Sequence, residues 1–132
     1  MVPRKATQQP IDVSPHHAQM MKGALDMCLL AAISREPNYG YDLVRILNEE
    51  GVHVQSESTI YPVLKRLAKK DLIKGRLEPS PSGPARKYYE TTTAGRDTLR
   101  VWTADWQDVR QGVDAVLETA VLGTTARETK ET

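Results

Sequence analysis

Apolar residues follow three different rhythms along this chain, and each rhythm predicts a different element. From Met20 to Ala32, Met20, Met21, Ala24, Leu25, Met27, Cys28, Leu29, Ala31 and Ala32 cover most sides of a helix predicted over about His17–Ser34. Such a helix is buried on more than one face. Glu36-Pro37-Asn38 ends it, because proline disfavours helix in the residue before it. Asn38 is placed to cap a second helix, roughly Tyr39–Glu50, with Leu43, Ile46 and Leu47 inward and Gly51 as its stop. Val52–Gln55 reads as a short extended link, after which Ser56 or Ser58 caps a third helix. There Ile60, Val63, Leu64 and Leu67 fall at i, i+3, i+4 and i+7 and give one apolar face. Pro62 lies within about one turn of the cap, where a missing N–H costs least.

The rhythm then changes to two. Ile73 and Leu77 share one face of a strand, with Lys74, Arg76 and Glu78 on the other. Three of the six residues from Pro79 to Pro84 lack a donor, so this segment is predicted to form a hairpin tip and no ladder. Arg86–Thr91 is the return strand, with Lys87 and Tyr89 on one face and Arg86 and Tyr88 on the other. One of the two tyrosines is expected to pack on the core. Helix, helix, helix, hairpin is the order of a winged helix-turn-helix.

A helix beginning at Thr93 carries the third rhythm. Leu99, Trp102, Trp106, Val109, Val113, Val116 and Ala120 are spaced alternately by three and four. Running to Leu122, this helix would be ~45 Å long at about 1.5 Å per residue, more than a three-helix headpiece covers. A sustained 3-4 stripe is a coiled-coil seam and points to a homodimer. Gly112 weakens the seam somewhat, and a helix folded back on its own domain would carry the same stripe. The expected architecture is mainly α with a small β-hairpin: a winged headpiece plus a long C-terminal dimerisation helix. Its divisions are a flexible arm over 1–15, the headpiece over 16–92, the dimerisation helix over 93–122 and a flexible tail over 123–132.

Total charge says little, at +1, but its distribution changes the picture. Residues 64–100 hold ten Lys and Arg against four acids, a net of +6, concentrated on the third helix and the hairpin. A local cationic face on a helix anchored by its other face suits a DNA major groove and the adjacent backbone. Charge runs are also commonly just solvated faces. A winged-helix module used only for protein–protein assembly, its positive face meeting an acidic partner, is the alternative from a different class.

Other chemistries find little support. His16, His17 and His53 are the only histidines, and His16-His17 in a proline-flanked arm reads as solvent-exposed. No metal-ligand spacing, glycine-rich phosphate loop or nucleophile elbow is present. Neither a cofactor nor catalysis is expected. The single Cys28 lies in an apolar run and reads as a buried, inert thiol. No stretch approaches ~18 uninterrupted apolar residues and the N-terminus lacks a signal peptide's apolar core, so a soluble cytoplasmic protein without membrane contact is expected.

Three ordered motifs carry a resemblance: Tyr39-Gly40-Tyr41-Asp42-Leu43, the run Ser58-Thr59-Ile60-Tyr61-Pro62-Val63-Leu64-Lys65-Arg66-Leu67, and Gly83-Pro84-Ala85-Arg86-Lys87-Tyr88-Tyr89 with Thr93 and Gly95 following. Over roughly Met20–Leu122 the chain resembles the PadR family of bacterial transcriptional regulators, in particular its smaller subgroup with a single short C-terminal helix. The resemblance implies a dimer formed through that helix and the first one, with Met27 of the first helix in the interface. It further implies repression of a nearby promoter, relieved by a small molecule near the dimer interface, with phenolic acids and flat aromatic drugs among family effectors. The sequence departs from the family pattern at Thr92, at Asp71 in place of a usual glycine, and in the fifteen-residue arm.

Residue roles follow from position and chemistry. Ser58, Thr59, Tyr61 and Pro62 stand at the leading end of the third helix, the end that meets base edges. Lys65, Arg66 and Lys69 suit phosphate, and Lys65 could reach a guanine. Arg86 and Lys87 suit backbone or minor-groove contact from the wing. Tyr39 and Tyr41 could meet phosphate, or serve as core packing with a polar rim. Trp102 and Trp106, adjacent along the seam, could face their symmetry mates around a slot for a planar aromatic ligand, or simply fill the interface. The resemblance sharpens the first option, since family members that bind flat aromatics place a tryptophan at about the position of Trp106. The expected partners are double-stranded operator DNA, a second copy of the chain, and a planar aromatic or phenolic effector.

Overall fold

The computed structural model describes residues 14–122, so the expected tail and all but the last two residues of the expected arm lie outside the described residues. Those two, Ser14 and Pro15, already belong to the first helix. Helix α1 spans Pro15–Arg35, with Pro15 in its first turn and the Ser14 hydroxyl accepting from the backbone N–H of His17 at 3.1 Å. Proline is pre-organised for this position and serine supplies the missing acceptor, so the helix starts earlier than its apolar run suggests. His17 is consequently not part of an exposed arm. It is partly buried, its ring centroid 5.8 Å from that of His53.

After α1 the chain makes a two-residue strand, β1 (Asn38–Tyr39), then α2 (Gly40–Glu49), α3 (Glu57–Lys69), β2 (Ile73–Ser80), β3 (Gly83–Thr91) and α4 (Thr93–Leu117), which widens into a π-helical turn over Glu118–Leu122. Asn38 therefore does not cap α2. It is buried, pairs with Tyr89 of β3, and turns its side-chain oxygen to the N–H of Tyr39. The antiparallel sheet has the order β1-β3-β2.

The hairpin is longer than expected. Ladder pairs run from Ile73–Thr91 to Glu78–Arg86 and resume at Ser80–Gly83, leaving Pro81 and Ser82 as the turn. Pro79 and Pro84 sit in the irregularity between the last two pairs, where no ladder N–H is required, so they do not end the strands. Leu77 is 69% exposed; only Ile73 of the expected apolar pair reaches the core.

The core of the first unit, which extends to Leu99, joins Leu29, Leu30 and Ile33 of α1, Leu43 and Leu47 of α2, Ile60, Leu64 and Leu67 of α3, and Ile73. Helix α1 packs on α2, α3 and β3. Met20, expected inside, is 58% exposed, and Ile46 is only partly buried. Cys28 is partly buried, and desolvation pushes its thiol above the usual range.

Two helix ends use one device. In α2 the N–H of Val52 reaches the Leu47 carbonyl at 2.8 Å and that of Gly51 the Asn48 carbonyl at 3.1 Å, with Gly51 at φ 96°. In α3 Leu72 reaches the Leu67 carbonyl at 3.0 Å and Asp71 the Ala68 carbonyl at 3.0 Å, with Asp71 at φ 60°. Both are Schellman turns, and the second places a carboxylate residue where the left-handed conformation favours glycine. Thr92 then joins this turn to α4: its hydroxyl donates to the Asp71 carbonyl at 2.6 Å and accepts from the N–H of Gly95 at 2.9 Å.

The second unit begins at Arg100 and contains the rest of α4 and the π turn. Leu99 and Trp102 are partly buried, whereas Trp106, Val109, Val113 and Val116 are 44%, 56%, 51% and 68% exposed in the single chain. The π turn breaks the 3-4 spacing before Ala120, which therefore does not continue the α-helical stripe.

Candidate nucleic-acid interface

Helix α3 presents its polar side because its apolar side is committed. Ile60, Val63, Leu64 and Leu67 are all within 5% of complete burial, which leaves Ser58, Thr59, Tyr61, Pro62, Lys65, Arg66 and Lys69 exposed. The start of the helix is fixed from α2: the Asn48 side-chain amide donates to the Val54 carbonyl at 2.8 Å and accepts from the Val54 N–H at 3.2 Å. Ser56 occupies the cap position without a capping bond from its side chain; its hydroxyl pairs instead with that of Ser58 at 2.7 Å. Pro62 lies in the second turn, six residues from the cap, and so removes a ladder bond to the Ser58 carbonyl.

The wing brings its own cations to the N-termini of α2 and α3. Tyr39, Gly40, Tyr41, Glu57, Tyr61, Ala85, Arg86, Lys87 and Tyr89 surround an open groove of 570 Å³. Arg86 stands over the Tyr39 ring at 4.6 Å, and the Tyr88 ring centroid lies 5.2 Å from that of Tyr39, tilted by 51°. Lys87 lies 6.0 Å from the Tyr89 ring, on the opposite face of the same strand. Both wing tyrosines are partly buried, so neither alone is the core residue. The Tyr61 hydroxyl donates to Glu57, and this bond holds the phenol's pKa above its ordinary value; burial raises that of Tyr89. Gly40 sits in close approach, since a Cβ there would stand 3.2 Å from the Tyr61 ring and that ring would have to give by a few tenths of an ångström.

Charge on this surface divides into two groups. Lys74 and Arg76 of β2 are held by Glu90 at 3.6 and 3.1 Å, and Arg76 also by Glu78 at 2.6 Å. Arg66 makes a two-point ion pair with Asp26 of α1, at 2.9 and 2.7 Å. Among the described residues, Lys65, Lys69, Arg86 and Lys87 have no carboxylate within salt-bridge distance. These four remain available for an external anion, and all four are exposed.

The geometry therefore gathers Tyr39, Tyr61, Arg86 and Lys87 around one groove, with Ser58, Thr59, Lys65 and Lys69 on the exposed side of α3, and pairs Arg66 with Asp26 of α1. Glu57 and Asp26 were not singled out from the sequence. Glu57 had a local signal, standing four residues before Tyr61 in the first turn of its helix. Asp26 had none, because its partner is 40 residues away. Among the described residues no group of three or more His, Cys, Asp or Glu is placed to hold a metal ion, and no helix is long and apolar enough to cross a membrane.

Comparison with known proteins points to one family. The profile of the transcriptional regulator PadR-like family matches residues 29–101. An uncharacterized protein of Lysinibacillus sphaericus is 31% identical over 103 residues, covering 76% of this chain and 94% of its own. The crystal structure of a PadR-like transcriptional regulator from Bacillus cereus shares 43% identity with a TM-score of 0.68, over 76% of this chain and 97% of that one. A PadR family regulator from Eggerthella lenta shares 36% identity with a TM-score of 0.69, over 77% of this chain and 88% of that one.

Proposed function

We propose that this chain, which belongs to the PadR-like family of transcriptional regulators, works as a homodimeric repressor on a (pseudo)palindromic operator and is released by a planar aromatic or phenolic small molecule. It is a DNA-binding winged-helix regulator and not an enzyme. The observation that carries the finer reading is the set of four exposed cations without acid partners, Lys65 and Lys69 on α3 and Arg86 and Lys87 on the wing, flanking hydroxyls at the leading end of α3. Cations suit phosphates and fix register; the hydroxyls of Ser58 and Thr59 stand at the leading end of α3, the end that reads base edges.

The exposed apolar stripe of α4 supports the dimer, since Trp106, Val109, Val113 and Val116 would otherwise stay in water along one helix. Two copies joined there would present two recognition helices to a two-fold operator. The effector reading rests on Trp106, 44% exposed on that stripe beside the partly buried Trp102: an indole pair across a two-fold can stack a planar ring. Ligand and DNA would then oppose each other through a dimer whose headpieces are mis-spaced, with a coupling of about 1–3 kcal/mol.

Fluorescence anisotropy with DNA from upstream of the protein's own gene tests the reading. A two-fold fragment should bind at least about a thousandfold more tightly than random duplex at the same salt. A planar phenolic ligand should quench the indoles and release that fragment. Equal affinity for all duplexes, or none for any, would favour the assembly-module alternative.

A further inference from the structure

We propose that Arg66 is a positioning residue, which with Asp26 sets the seat of the recognition helix on α1, and not one of the phosphate contacts. This inference rests on the DNA-binding reading above. Arg66 lies on the cationic side of α3 between Lys65 and Lys69, and by sequence it belongs with them. The structure separates it. Its Nε and Nη2 both donate to the Asp26 carboxylate, at 2.9 and 2.7 Å, a planar two-point pairing that fixes direction as well as distance. Neither Lys65 nor Lys69 has such a partner among the described residues. Asp26 is the more enclosed member, with 21% of its side chain open against 47% for Arg66, so the carboxylate is seated and the guanidinium reaches to it.

The pair joins two helices that pack on one another. Ile60, Leu64 and Leu67 of α3 are buried in the same core as Leu29, Leu30 and Ile33 of α1, and apolar packing of this kind permits small rotations and slides at little cost. A bidentate pair at the rim opposes both. Base readout demands that α3 be held within a fraction of an ångström, whereas phosphate neutralisation tolerates more play. Loss of the pair should therefore reduce operator affinity and leave affinity for random DNA almost unchanged. Asp26 is followed in α1 by Met27, a residue of the proposed dimer interface, so the same tie would pass a shift of α1 on to the recognition helix.

The two roles predict opposite signs. If Arg66 served phosphate, Asp26 would be a competitor for it, and Asp26→Asn would tighten binding. As a positioning partner, Asp26→Asn should weaken operator binding roughly three- to tenfold. Arg66→Lys is the second test, since it keeps the charge and removes the two-point geometry. It should weaken the operator complex by a similar factor, and the double variant should be no weaker than either single one. The log–log salt slope should stay at the wild-type value in all three, while Lys69→Ala lowers it by about two per dimer. Circular dichroism of each variant should match wild type. Tighter binding by Asp26→Asn, or wild-type affinity for Arg66→Lys with a slope reduced by Arg66→Gln, would overturn the assignment. Failure of the wild-type protein to distinguish its operator from random DNA would instead remove the reading on which it rests.

Discussion

Replacing Val109 and Val113 together by Glu should separate the two subunits without unfolding either. In the single chain 56% and 51% of these two valines is open to water, so about half of each side chain remains for a partner to cover. Full burial of a valine is worth about 1.5–3 kcal/mol, and the half still available about 1. Four such valines in a dimer contribute about 4 kcal/mol, close to a thousandfold in dissociation constant. The carboxylates add to that loss, because each one buried without a partner costs several kcal/mol more. Folding of the helix itself is barely touched. Glutamate is a better helix former than valine, and like charges four apart, including Asp105 before position 109, cost only about 0.2–0.5 kcal/mol per pair. Sedimentation velocity over a wide concentration range should show a monomer, with far-ultraviolet circular dichroism unchanged, and the operator should be bound only weakly. A dimer whose dissociation constant is unaltered would refute the assignment of this face.

Four further outcomes follow from particular residues. Asp71→Gly relieves a left-handed residue in the second Schellman turn and should stabilise the headpiece by about 0.5–1 kcal/mol, read as a higher Tm with unchanged operator affinity; a lower Tm would contradict the strain argument. Glu57→Gln removes a carboxylate from the cationic groove while leaving an acceptor for Tyr61, so affinity for random duplex DNA should rise about tenfold per dimer at low salt; no rise would place Glu57 away from phosphate. Trp106→Ala should leave repression intact and abolish ligand-induced release and indole quenching; full induction of this variant would move the effector site elsewhere. The Cys28 thiol, held above its usual pKa by burial, should react with an aromatic disulfide at pH 8 far more slowly in the native protein than in denaturant; equal rates would show an open thiol.

Most of the fold was legible because its elements obey simple periods. The face of α3 through Ile60, Val63, Leu64 and Leu67 is a short local pattern, and all four residues are buried as that pattern requires. Gly51 ended α2 for a reason visible in one residue. The strand at Asn38–Tyr39 was not legible: two residues carry no period, and their partners Tyr88 and Tyr89 lie some fifty positions away. The prolines of the hairpin misled for a related reason. Their cost depends on whether the ladder needs an N–H at that point, and the irregularity after Glu78 removes the need.

The site shows the same division. Residue type and spacing marked Lys65, Lys69, Arg86 and Lys87 correctly as exposed cations. Sequence alone could not separate them from Arg66 and Lys74, whose charges are met by Asp26 through a tertiary contact and by Glu90 across the hairpin, or from Arg76, which meets Glu90 as well as Glu78 of its own strand. It also missed that Arg86 lies over the Tyr39 ring, a consequence of β1 joining the sheet edge beside β3.

The central claim is that four cations per subunit receive the phosphates of a two-fold operator, and the salt dependence of binding tests it most directly. With three or four phosphates neutralised per subunit, the log of the association constant should fall against log salt with a slope of roughly −5 to −7, near −0.9 per phosphate. Lys69→Ala should reduce the magnitude by about two, one contact in each subunit, and should weaken operator and random duplex alike. A wild-type slope near zero, or a slope that Lys65, Lys69, Arg86 and Lys87 do not control, would contradict the account.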